Sequence, residues 1–216
     1  MKKLILYDLD GTLVDTSQDI VLSTQHMLRE MGAPLLGPER IIPLVGSGVR
    51  KLVAGSLGTD DPARVDKAVA IYRAHYAEHL LDHSRLFPGV KEVLDYFRGR
   101  LQAVVTNKPN PYSRRILEGL GVEGYFTEII GGDSPLPKKP DPAILIDLMQ
   151  RHRIAPAEAL FIGDSPIDIQ AGRAAGIRTA IVSQGFSTVE EIRAAAPEIL
   201  AGNFTELLMM IEESKW

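Results

Sequence analysis

The stretch Leu4-Ile5-Leu6-Tyr7-Asp8-Leu9-Asp10-Gly11-Thr12 constrains this chain more than any other. Four apolar residues run directly into two carboxylates, a glycine and a hydroxyl. Such an apolar run is the pattern of a strand buried on both faces, and a strand of that kind buries an aspartate only at a large cost. Asp8 and Asp10 therefore mark where the strand leaves the core and meets solvent or a ligand. Residues two apart on a strand point the same way, so both carboxylates can address one small site. A nucleophile paired with an acid/base group is one use of that geometry, and an ordinary Asp-Gly turn is the other.

Residues 16 to 84 have a different texture. Asp15, Thr16 and Ser17 offer helix caps, and Ile20, Met27, Leu28 and Met31 follow at helical spacing until Gly32 and Pro34 end the run. A second helix is predicted from Gly48 to Leu57. A third starts at Asp61-Pro62, with Val65, Val69, Tyr72, Tyr76 and Leu80 in a single apolar stripe. No strand signal interrupts them, so they read as a small helical cap inserted after the first strand. The third helix also carries His75, His79 and His83 at four-residue spacing, a metal-ligand geometry. No carboxylate or cysteine completes a ligand set there, and a solvated helix edge is the expectation.

Phe87-Pro88-Gly89 is a turn signal and the predicted return to the main domain. Helices are then predicted at Val90 to Phe97, from a cap at Asn110 to Leu120, from Asp141-Pro142 through Met149, from Ser165-Pro166 to Gly176, at a Thr188–Glu191 capping box, and over residues 204 to 213. Strands are predicted between them at Leu101–Val105, Phe126–Ile130, Ala159–Ile162 and Thr179–Val182, which with the first makes five. Alternation of this kind predicts an α/β fold: a Rossmann-like doubly wound parallel sheet built from residues 1–15 and 85–216, with an α-helical cap over 16–84. Ligands of such sheets bind beyond the carboxyl ends of the strands. Asp8 and Asp10, Thr106 and Asn107, and Asp164 all fall there.

Composition closes off several function classes. With 24 Lys+Arg against 28 Asp+Glu, the net charge is −4, without the basic excess of a nucleic-acid binder. The absence of cysteine excludes thiolate catalysis, disulfides and cysteine metal sites. Lys2 and Lys3 precede an apolar run too short for a secretion signal, and no stretch has membrane-spanning length. A cytoplasmic protein, a monomer or weak homodimer, is expected.

Asp8, Asp10, Asp164 and Asp168 gathered at one sheet edge would repel strongly, about 3–4 kcal/mol per close pair at an effective dielectric of roughly 20. A cation is needed. Oxygen ligands without histidine or cysteine favour a hard ion, and Mg²⁺ shares its shell readily with phosphate oxygens. Lys138 or Lys139, between two prolines, can supply further positive charge. Asp168, third in the helix that Ser165 caps, suits the helix dipole and would point back toward Asp164, in a supporting position.

Together, Asp8-Leu9-Asp10-Gly11-Thr12, Thr106-Asn107, Lys139-Pro140 and Gly163-Asp164-Ser165 with Asp168 resemble the four ordered motifs of the haloacid dehalogenase superfamily. The resemblance implies Asp8 as nucleophile forming an aspartyl-phosphate, with Asp10 as general acid and then base. It implies phosphoryl binding by Thr106 and Asn107, charge neutralisation by Lys139, and Mg²⁺ held by Asp8, Asp164 and the backbone carbonyl of Asp10, with Thr12, Ser165 and Asp168 in support. Dehalogenases lack an acid/base carboxylate two residues after the nucleophile; Asp10 is present, which favours phosphoryl transfer. Val45 to Lys51 and Phe87-Pro88-Gly89-Val90 are most similar to phosphoglycolate phosphatases, so a small phosphorylated metabolite is the expected partner. Gly46, Ser47 and Arg50 of the cap loop are then candidate substrate contacts. A β-phosphoglucomutase-like sugar-phosphate mutase is the alternative, although Thr12 stands where those mutases usually have an aliphatic residue. A pyrophosphatase of the same superfamily is another.

Overall fold

A computed structural model describes residues 2–214. The opening apolar run forms β1 (Leu4–Tyr7), every residue of it buried. Two short strands, β2 (Val14–Asp15) and β3 (Arg85–Leu86), pair antiparallel as a narrow ribbon. All the chain between them is helical or loop: α1 (Ser17–Glu30), α2 (Pro38–Ile41), α3 (Val49–Leu57) and α4 (Pro62–His79). Beyond β3 the chain alternates through α5 (Val90–Tyr96), β4 (Leu101–Val105), α6 (Asn110–Gly119), β5 (Glu128–Ile130), α7 (Ala143–His152), β6 (Ala159–Gly163), α8 (Pro166–Ala174), β7 (Arg178–Val182), α9 (Val189–Ala194), β8 (Ile199–Ala201) and α10 (Phe204–Ser214).

The six long-range strands form one parallel sheet in the order β5-β4-β1-β6-β7-β8. The order reverses between β1 and β6, which makes that gap the switch point where such sheets hold ligands. Register aligns the strand ends: Tyr7 lies opposite Val104 on one side and Ile162 on the other. One step further on comes Asp8, and two steps on come Thr106 and Asp164, all leaving the sheet at a common edge. Alternate residues serve opposite layers. Ile5, Tyr7, Val104 and Ile162 join one apolar cluster, while Leu4, Leu6, Ala103 and Phe161 pack with Ile144, Leu145 and Leu148 of α7. Each of the Val, Leu, Ile and Phe side chains among them contributes about 1.5–3 kcal/mol on full burial, so the strand ends are firmly anchored.

The stripe expected on the third helix is real: Val65, Val69, Tyr72 and Tyr76 of α4 are buried, with Leu80 just beyond it. Asp61 caps that helix by accepting from the Ala63 N–H at 3.1 Å. The helix α3 is bounded by glycines, Gly48 at φ 91° and Gly58 in the left-handed region.

Several sequence expectations need correction. The sheet has a sixth strand, β8, whose three apolar residues are too few to show alternation. The short helix α2, followed by a single 3-10 turn over Ile42–Leu44, occupies a Pro-rich stretch left without an element. Asn110 lies inside α6 and does not cap it; Pro109 is the residue before the helix. α4 ends at His79, so His83 is off the helix, where its N–H donates to Asp19. His75 and His79 instead form a ring stack with His26 of α1, at 4.2 and 4.3 Å between centroids. No helix among the described residues is long and apolar enough to cross a membrane.

Candidate active site

The sheet edge gathers acids from two strand ends and from the helix that follows one of them. Asp8 follows β1 and is buried; Asp164 follows β6 and is buried; Asp168 sits in the first turn of α8, also buried. One oxygen of each lies within 4.8 Å of the others. The Lys139 ammonium, 2.9 Å from Asp8 Oδ1, also donates to Asp168 Oδ1 at 2.7 Å. Asp168 Oδ2 accepts the Ser165 hydroxyl at 2.6 Å and the N–H groups of Ser165 and Asp164 at 3.2 and 3.3 Å. Both oxygens of Asp168 are therefore occupied in fixing Lys139 and the loop that carries Asp164. That is a positioning job, in line with its place in the helix.

Asp164 is held from the other side. Its Oδ1 accepts the Thr12 hydroxyl at 2.8 Å and its Oδ2 the Phe186 N–H at 2.9 Å. Two glycines let backbone approach it: a Cβ on Gly11, at φ +81°, would lie 2.4 Å from Asp164 Oδ2, and one on Gly185 would lie 2.3 Å from it. Phe186 and Gly185 escaped the reading of the sequence; a glycine just past the end of a predicted strand was the available signal.

Charge in this half of the site does not balance. Among the described residues, three buried carboxylates meet the single ammonium of Lys139. Burial pushes the Asp8 carboxyl up to about 6 although Lys139 opposes the shift, and Asp168 pushes it further up. Burial, then Asp168 and Asp8, raises Asp164 well above the usual carboxylate range. Burial would lower Lys139, but Asp168 and Asp8 outweigh it and hold it above its ordinary value. Two surplus negative charges on all-oxygen donors fit a hard divalent cation, which would restore both carboxylates to their ionised forms.

The opposite half faces the helices. Asp10 Oδ1 accepts the Thr16 hydroxyl at 2.6 Å, and both its oxygens accept from the Lys108 ammonium, at 2.8 and 3.0 Å. Lys108 is almost fully buried and lies 4.6 Å from the centre of the Tyr76 ring. Sequence reading passed over it, although it directly follows Thr106-Asn107 at the end of β4. Asp8, Asp10, Thr106, Asn107 and Lys108 form the floor of a cavity roofed by Ile20, Leu52, Tyr72 and Tyr76 from the helices. Its volume, about 60 Å³, has room for a handful of waters or one compact anion.

The remaining predicted residues divide. Gly46 and Gly48, at φ 102° and 91°, line the cavity. Asn107 holds the Gly46 loop down: its amide donates to Gly46 O at 2.8 Å and to Lys139 O at 2.9 Å, which occupies the donors expected to meet a phosphate. Thr106 is buried beside it, its hydroxyl accepting the Lys108 N–H. Ser47 is not among the lining residues, and neither is Arg50, which is exposed and ion-paired with Asp66 on the outer surface. Arg50, a candidate substrate contact, thus has its guanidinium on the exposed side of its helix.

The sequence pattern of the haloacid dehalogenase-like hydrolases matches residues 5–182. This chain belongs to that family. It is 36% identical to the phosphoglycolate phosphatase of Pseudomonas putida over 217 residues, 96% of this chain and 79% of that one. It is 36% identical to the phosphoglycolate phosphatase of Thiobacillus denitrificans over 219 residues, covering 98% and 96% of the two chains. Among solved structures, a predicted phosphoglycolate phosphatase from Haemophilus somnus superposes with a TM-score of 0.91 at 30% identity, over 97% of each chain. Another from Lactobacillus delbrueckii gives 0.87 at 27% identity, over 98% of this chain and 99% of that one.

Proposed function

We propose that this chain is a cytoplasmic, Mg²⁺-dependent phosphatase that hydrolyses a small phosphate monoester, 2-phosphoglycolate or a close relative, through an aspartyl-phosphate on Asp8. The single observation that carries the reading is the charge pattern around β1: Asp8 beside Lys139 in a cation-deficient acidic pocket, and Asp10 paired with its own lysine in the adjoining cavity. Relatives covering nearly the whole chain, named phosphoglycolate phosphatases, support the substrate.

In this reading an Asp8 oxygen attacks phosphorus and the ester P–O bond breaks, while Asp10, oriented by Thr16 and Lys108, gives a proton to the leaving oxygen. Water then attacks the acyl phosphate, Asp10 takes up its proton, and phosphate leaves with Asp8 restored. Lys139 offsets negative charge on Asp8 and on the transferring group, and Thr106 faces that group from β4. Asp8, Asp164 and the Asp10 backbone carbonyl would hold the Mg²⁺, whose charge would stabilise the phosphoryl oxygens. Asp168 keeps Lys139 in place. The covering helices line the cavity together with the sheet edge, so the organic end of a small ester would meet both.

The test is phosphate release from 2-phosphoglycolate, pyrophosphate and hexose phosphates, with Mg²⁺ and with chelator. Fastest release from phosphoglycolate, lost in chelator, is expected. An isomerised sugar phosphate without free phosphate would make the chain a mutase, and fastest cleavage of pyrophosphate would make it a pyrophosphatase.

A further inference from the structure

The half of the cavity facing away from the acidic cluster closes over the substrate, and Lys108, which also orients Asp10, dominates it. We propose that Lys108 recognises the carboxylate of the substrate and so selects esters carrying a second anion; this deepens the phosphatase reading and rests on it. Among the residues lining the cavity, Lys108 is the one basic side chain. Its ammonium is 2.8 and 3.0 Å from the two Asp10 oxygens. Asp10 marks where the ester oxygen leaves, and in a 2-phospho-carboxylate the carboxylate carbon is only two bonds from that oxygen. A group that reads the carboxylate must therefore sit within a few ångströms of Asp10, and Lys108 does.

The surroundings strengthen the contact. Lys108 is 7% exposed, its ammonium rests against the Tyr76 ring, and the walls around it are apolar. A charge-assisted hydrogen bond counts for more there than in water. The Tyr76 hydroxyl, on the same wall, is buried without a hydrogen-bond partner. Other nearby cations are badly placed: Arg50 is paired with Asp66 outside the cavity, and Lys138 is exposed at the rim beside Gly48.

Steady-state kinetics of the Mg²⁺-loaded enzyme on 2-phosphoglycolate and on ethyl phosphate, the same ester with a methyl group in place of the carboxylate, test this. Lys108→Met is expected to lower the ratio of kcat/KM values, phosphoglycolate over ethyl phosphate, by roughly 10- to 100-fold, mainly through KM for phosphoglycolate. Lys108→Arg, which keeps the charge, retains part of the ratio and serves alone if Lys108→Met does not fold. Lys138→Met leaves the ratio unchanged. Equal losses on both esters in Lys108→Met would mean that Lys108 acts only through Asp10, and a ratio that collapses in Lys138→Met would place the reader at the rim; either overturns the proposal. Wild-type enzyme that hydrolyses both esters equally would sink the proposal and leave the phosphatase standing. Hydrolysis of neither ester would sink the phosphatase itself.

Discussion

On the sheet side of the site three buried carboxylates, Asp8, Asp164 and Asp168, meet the one ammonium of Lys139. On the helical side the Asp10 carboxylate has the Lys108 ammonium and the Thr16 hydroxyl to itself. The first half is overdrawn in negative charge and framed by backbone: Gly11 and Gly185 press on Asp164, and Asp168 is tied by four hydrogen bonds. The second half is balanced and walled by apolar side chains from α1, α3 and α4. A pocket with excess charge and no slack is suited to a small inorganic ion. A neutral, greasy pocket with one polar pair is suited to the organic end of a substrate. The ester bond would be cut where they meet, between Asp8 and Asp10.

The largest expected effect tests that meeting point. Asp8→Asn removes the nucleophilic oxygen without changing side-chain size, and phosphate release should fall by at least about 10⁴-fold, as when a covalent catalyst loses its nucleophile. Binding of Mg²⁺ should weaken in the same variant, because the acidic half loses a charge. Full turnover by Asp8→Asn would show that the two halves do not share a reaction centre.

Next in size is the charge ledger of the acidic half. Lys139→Met leaves Asp8 and Asp168 buried without their cation, and removal of one partner from a buried ion pair costs about 3–5 kcal/mol. Urea unfolding in chelator should show a loss of that order, and Mg²⁺ should recover part of it. The matching change on the other side, Lys108→Met, should respond far less to Mg²⁺, since its carboxylate lies outside the acidic cluster. Equal rescue of both variants would erase the distinction drawn here.

This contrast also explains what was legible in the sequence. The acidic half came from strand ends, and strands declare themselves: a run such as Leu4–Tyr7 or Ala159–Gly163 has to end where its carboxylate appears. The parallel sheet then fixes which ends are neighbours. The helical half depends on how α1, α3 and α4 rotate over the sheet edge, and helical periodicity does not specify that rotation relative to another layer. Arg50 illustrates the gap. On sequence it sits three residues beyond Ser47 in a glycine-rich loop, yet the turn of α3 carries it outward to Asp66. Lys108 shows the reverse case, a charged residue in an ordinary-looking loop that folding brings inside. The strand β8 was missed for a simpler reason, since three residues are too few to show a period.

A third prediction concerns pH. Asp8, at about 6, and Asp164 are both raised above their unfolded values near 4. The native state therefore holds protons that the unfolded chain has already lost, and stability in chelator should fall as pH climbs from about 4 through those raised values. A cation that binds the ionised carboxylates reverses the penalty. The stabilisation produced by Mg²⁺ should accordingly be small near pH 5 and larger near pH 8, reaching about 2–3 kcal/mol at a hundredfold excess over Kd. An Mg²⁺ effect that is the same at both pH values would break the link between surplus charge and metal.

The smallest expected effect is the most discriminating for the helical half. Arg50 and Asp66 are both more than half exposed, and exposed ion pairs contribute about 0.2–1 kcal/mol at most. Arg50→Ala should therefore shift the unfolding free energy by less than that and leave KM for phosphoglycolate within about twofold, because the side chain lies outside the cavity. Comparison with Lys108→Met makes the measurement decisive. Of these two cations, one is buried beside Asp10 and the other is paired on the surface. A tenfold rise in KM for Arg50→Ala, with no change in stability, would mean that the helices reorganise to bring α3 inward when substrate binds, and that the organic end of the site is assembled from the helical side alone.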